Sequence, residues 1–132
     1  MTMRIYLDSA PLIYLVENIA PYVSALATRL ATPGTIKYVV NSRLECRVKP
    51  IRDGEMVLLT AFDSYFTSII SEVIPLNRPV IDLATKLRAR YGFKTPDAIH
   101  LAAAIINSCD VFLTNDYHLD KCTEVTVEVI AP

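Results

Sequence analysis

The chain has 132 residues, with 13 Lys and Arg against 14 Asp and Glu, for a formal net charge of −1. That near balance excludes a protein that coats nucleic acid through bulk positive charge. The length fits one domain over residues 1–132, able to bury roughly 65 to 70% of its unfolded surface. No charge-free run approaches the roughly 18 residues of a membrane span.

Taken in chain order, Arg4 to Leu7 is a β-branched and aromatic run that predicts a first strand, and it ends on Asp8. No secretory signal pattern follows Met1, so the expected compartment is the cytoplasm. Ser9-Ala10-Pro11 supplies a cap-type residue and an early proline for a helix whose turn at 12–16 is apolar all round. A helix is expected from Pro21 to Leu30, stopped by Thr32-Pro33-Gly34. Lys37 to Val40 is the second strand, and the helix that opens at Ser42 projects Glu45 from its first turn.

Gly54 to Ser71 predicts a longer helix, on which Leu58, Leu59, Phe62, Tyr65, Phe66, Ile69 and Ile70 recur at helical spacing. That stripe is wide enough to serve a core and a second chain. Val73 to Ile74 is a short strand, and Pro79 to Arg90 a helix ended near Gly92. Thr95-Pro96-Asp97 reads as a helix start with Thr95 as cap, and Val111 to Thr114 as a strand that runs into Asn115 and Asp116. Val125 to Ile130 is the last strand. Strands alternating with helices imply an α/β fold, a three-layer α/β/α sandwich with a central, mostly parallel sheet.

Asp8, Glu45, Asp97 and Asp116 therefore all fall where a strand ends or a helix begins. In an open α/β sheet this is the edge that binds ligands. Each acid has an ordinary structural explanation, such as a helix dipole or a turn. Together they would repel, and a divalent cation resolves the conflict. The donors are hard oxygens, which suit magnesium, while the Cys and His set that zinc prefers is missing. Cys46, Cys109 and Cys122 read as buried reduced thiols, and His100 as a helix residue packed near the site.

The stretches IYLDSAPLIYL, NSRLE, KTPDAIHLAAAI and FLTND, in this order, resemble the PIN-domain nucleases, especially the VapC-type toxins of toxin–antitoxin pairs. The resemblance implies a magnesium- or manganese-dependent endoribonuclease that cleaves RNA, with Asp8, Glu45, Asp97 and Asp116 as the catalytic and metal-binding acids. Ser9, Ser42, Thr114 and Asn115 are implied as polar partners near the metal, and Asp120 as an additional acid. Ala10 departs from the small polar residue common at that position. The same resemblance implies a cognate antitoxin protein and a homodimer, with contacts expected on residues 58–70 and 12–16. Competing readings are a PIN-type nuclease of RNA processing outside such pairs, a PIN-like protein-binding module without catalysis, and a haloacid-dehalogenase-type phosphotransferase. Ala10 speaks against the last, since an acid is expected there.

Overall fold

The computed structural model describes residues 3–130. Five strands form one sheet: β1 (Arg4–Leu7), β2 (Ile36–Val39), β3 (Glu72–Val73), β4 (Val111–Thr114) and β5 (Val127–Val129), in the order β3-β2-β1-β4-β5. Every pairing is parallel, with Ile5 opposite Lys37 on one side and Val111 on the other. The central strands are correspondingly apolar. All of β4 is buried, as is β1 after Arg4, because helices cover both faces.

Side chains alternate across this sheet and divide the core in two. Tyr6, Tyr38, Val40 and Phe112 pack under α5 (Arg78–Tyr91) and α6 (Thr95–Ile106). Ile5, Leu7, Val39, Val111 and Leu113 point the other way, onto α1 (Ser9–Val16), α2 (Tyr22–Leu30), α3 (Ser42–Arg52) and α4 (Met56–Ser68). The result is the three-layer α/β/α sandwich expected from the alternating pattern, with a sheet that is wholly parallel.

Local chemistry sets the helix limits. Gly54 adopts φ +68°, a conformation that breaks the chain between α3 and α4, so α4 begins two residues later than the apolar pattern suggests. Asn77 caps α5, its Oδ1 accepting from the Val80 amide at 3.3 Å, and Gly92 closes that helix at φ +76°. Asp8, rather than Ser9, caps α1 by accepting the Ser9 amide at 2.8 Å. Likewise Lys94 occupies the cap position of α6, and Thr95 is its first helical residue.

The apolar stripe on α4 is used chiefly inside this chain. Leu59, Phe62 and Ile70 are buried, while Leu58, Tyr65 and Phe66 pack partly buried against the same core. Leu12 on α1 is buried too. Open apolar side chains include Leu44, Val48 and Ile51 on α3 and Met56 and Val57 where α4 begins, with Ile69, Val73, Leu76, Ile81 and Ile106 elsewhere. Arg43 and Arg47 both reach Asp63, at 3.3 and 2.8 Å, and tie α3 to α4, so this basic cluster is partly neutralised.

Phe62 is 1% exposed and Val57 88%. Phe62→Ala is expected to destabilise the fold by about 3–5 kcal/mol, and Val57→Ala to change it by no more than about 0.5 kcal/mol. Equilibrium urea unfolding measures both, and similar losses for the two would contradict this orientation of α4.

Candidate active site

The strand order reverses between β1 and β4: from β1 the chain builds outward to β2 and β3, and the other flank is β4 and β5. A crevice opens at the carboxyl ends of strands at such a switch point. Asp8 leaves β1 on one side of it and Asp116 follows β4 on the other. The sheet continues past Leu7 through a bond from the Asp8 amide to the Leu113 carbonyl at 3.0 Å. This holds the two strand ends at one level.

Asp8 is 9% exposed, and its two oxygens are both occupied. Oδ1 accepts from the Ser9 amide, while Oδ2 accepts from the Thr114 hydroxyl at 2.8 Å. Thr114 is fully buried, and its oxygen in turn accepts the Asp116 amide at 3.1 Å. One hydroxyl thus spans the crevice and orients both strand ends. Asp116 Oδ1 accepts the His118 amide at 2.9 Å, opening a short 3-10 helix (Tyr117–Lys121).

Asp97 projects from the first turn of α6 and is half-buried. Burial pushes its carboxyl up, and the charges of Asp8 and Asp116 push it further, against a smaller downward pull from His100 and Lys94. Three acids from distant parts of the sequence therefore act on one another. Glu45 behaves in the opposite way. Burial raises its carboxyl, but His100, through a hydrogen bond and its charge, and Ser9 outweigh that and hold it below the usual range. Its Oε1 accepts from Ser9 Oγ at 2.8 Å and lies 2.5 Å from His100 Nε2.

The remaining polar candidates separate. Ser9 and Thr114 join the acids directly, as above. Ser42 is fully buried at the start of α3, and its hydroxyl and the Asn41 side-chain oxygen have no partner among the described residues. Asn115 is exposed and donates to the Tyr14 hydroxyl at 3.0 Å. Asp120 is exposed on the 3-10 helix and makes no ion pair among the described residues. His100 is packed beside the site, as its place on the helix predicts, whereas Tyr6 joins it in a way the motifs alone do not reveal. The spacing carried a signal: Tyr6 lies two residues before Asp8 on a strand and His100 three after Asp97 on a helix, which are same-face positions.

The chemistry of this donor set fits a hard divalent cation. Its candidate ligands are carboxylate oxygens, two of them raise a third, and unpartnered hydroxyl and amide oxygens are buried at the same sheet edge. Among the described residues no three acidic, His or Cys side chains form a ready cage.

A family model of the PIN domain matches residues 5–125. No curated protein matches the sequence. Among solved structures, the fold is similar to that of VapBC2 from Rickettsia felis bound to a DNA fragment from their promoter. That match has a TM-score of 0.79 and 13% identity, covering 98% of this chain and 100% of the other. FitAcB from Neisseria gonorrhoeae is similar with a TM-score of 0.70 and 15% identity, over 93% of this chain and 95% of that one. A toxin–antitoxin complex from Klebsiella pneumoniae aligns with a TM-score of 0.64 and 18% identity, over 92% and 94%. At these identities the likeness is one of fold, while the family model spans nearly the whole sequence, from β1 to the start of the last strand segment: the chain belongs to the PIN-domain family.

Proposed function

We propose that this protein is a divalent-metal-dependent endoribonuclease and the toxin of a toxin–antitoxin pair. The observation that carries the nuclease reading is the crowding of Asp97 by Asp8 and Asp116 at the switch point. Uncompensated, that crowding costs free energy. Asp8, Asp97 and Asp116 would hold the cation, with Glu45 beside them. When bound, it supplies Lewis acidity at a phosphodiester and a nucleophile at neutral pH.

The chain's own residues prepare the rest. Thr114 keeps Asp8 aimed by donating to its Oδ2. Lys94, exposed at the cap of α6, is a cation whose charge acts on Asp97, and it draws a phosphate toward the acids. Arg43 and Arg47 are less free for RNA because Asp63 engages both. Affinity for RNA near four carboxylates depends on the cation, so metal and substrate bind cooperatively.

The toxin reading is supported by the solved structures of similar fold, one of which is described as a toxin–antitoxin complex. An antitoxin segment would cover open apolar surface, and here that surface is the Leu44, Val48 and Ile51 face of α3 with Met56 and Val57. A homodimer would draw on the same exposed helices. Docking there leaves the core stripe of α4 undisturbed.

Asp97→Asn is expected to bring magnesium-dependent RNA cleavage down to background while leaving thermal stability unchanged or raised, because it removes a repelled, half-buried charge. Cleavage assays and thermal melts of the purified variant check both, and undiminished cleavage would refute the site. Chelation should abolish wild-type cleavage and added magnesium or manganese restore it; activity that survives chelation would refute the metal dependence. Val48→Glu should prevent co-purification with the product of a neighbouring antitoxin reading frame without changing the melt. Intact co-purification would place the partner elsewhere.

A further inference from the structure

Behind the carboxylates lies a buried polar chain that the nuclease reading leaves unused. Tyr6, on β1, is fully buried under α6. Its hydroxyl is 2.5 Å from His100 Nδ1, and the ring of His100 meets the Tyr6 ring edge-on with centroids 5.6 Å apart. His100 Nε2 is 2.5 Å from Glu45 Oε1, which also accepts from Ser9. Four elements of the fold, β1, α6, α3 and α1, are thus joined in sequence by side chains.

The hydrogen-bonding inventory fixes the direction of this chain. A carboxylate oxygen lies 2.5 Å from Nε2 and a phenol oxygen 2.5 Å from Nδ1; donation from Nε2 to Glu45 leaves Nδ1 to accept from the Tyr6 hydroxyl. The Tyr6 hydroxyl, fully buried, has His100 Nδ1 as its side-chain partner. Tyr6 itself cannot drift, because its ring stacks on Phe112 with centroids 5.2 Å apart and planes 4° from parallel.

We propose that Tyr6 and His100 are positioning residues for the site: Tyr6 holds His100 Nδ1, and His100 Nε2 donates to Glu45 Oε1. Both donors to Glu45 converge on that one oxygen, so Oε2 is the oxygen turned over to ligand or substrate chemistry. The sheet's apolar core thereby sets the place of a carboxylate that sits on a half-exposed helix turn. A charged group located by such a chain keeps one orientation without a cation to organise it. The catalytic consequence rests on the nuclease reading, whereas the geometry stands apart from it.

The test uses the whole protein, isotopically labelled, in the wild-type form and as Tyr6→Phe and His100→Gln. Tyr6→Phe keeps the ring stack and deletes only the hydroxyl, while His100→Gln retains an amide donor. Long-range proton–nitrogen spectra are expected to show His100 Nε2 protonated in the wild type, and Tyr6→Phe to shift the Glu45 carboxyl carbon. Manganese titration should show roughly tenfold or greater loss of affinity in Tyr6→Phe, with kcat for RNA reduced more than KM at saturating manganese. His100→Gln should retain more activity than His100→Ala. A bare Nε2 in the wild type, or a Glu45 carbon unmoved by Tyr6→Phe, overturns the proposal. So does manganese binding by Tyr6→Phe as tight as the wild type's. A wild type that binds no manganese and cuts no RNA would end the nuclease reading alone, and the ring and carboxyl signals would still decide this inference.

Discussion

Repulsion among carboxylates that the sheet forces to one edge is the constraint on which the functional reading depends. A parallel sheet with helices on both faces has every strand ending on the same side, so whatever follows the strands must share that rim. In this protein acids lie just beyond β1 and β4 and in the first turn of α6, and burial, then the charges of Asp8 and Asp116, push the Asp97 carboxyl up. Nature rarely tolerates such a concentration without a counter-charge. The fold makes the conflict, and a divalent cation is the simplest way to end it.

The acids are nevertheless held in different ways. Asp8 and Asp116 are joined through the Thr114 hydroxyl, so the switch point has a fixed polar hinge inside an apolar core. Glu45 is held from behind by His100 and from the side by Ser9. Asp97 sits in the first turn of α6 and has no comparable side-chain tether among the described residues.

Much of this was legible in the residues. Parallel topology follows from short β-branched runs alternating with helices, and Asp8, Asp97 and Asp116 could be placed at strand ends and a helix start because each closely follows an apolar run or a Thr-Pro pair. Caps were less readable. Asp8 takes the capping role that the pattern assigned to Ser9, which frees the Ser9 hydroxyl for Glu45. The wide stripe of α4 reads as serving a core and a second chain; its core part is seen in buried Leu59, Phe62 and Ile70, while Ile69 stays 42% exposed and Leu44, Val48 and Ile51 on α3 are open as well. Periodicity tells which residues share a face, while the depth of cover over that face depends on tertiary packing. The Tyr6–His100 link joins residues 94 positions apart, and only the fold brings them into contact.

Crystals of the protein soaked in manganese and measured at the metal's absorption edge give the most direct test of cation binding at the switch point. An anomalous peak among Asp8, Asp97 and Asp116 is the expected result. No peak at that edge of the sheet, or one bound elsewhere on the molecule, would contradict it.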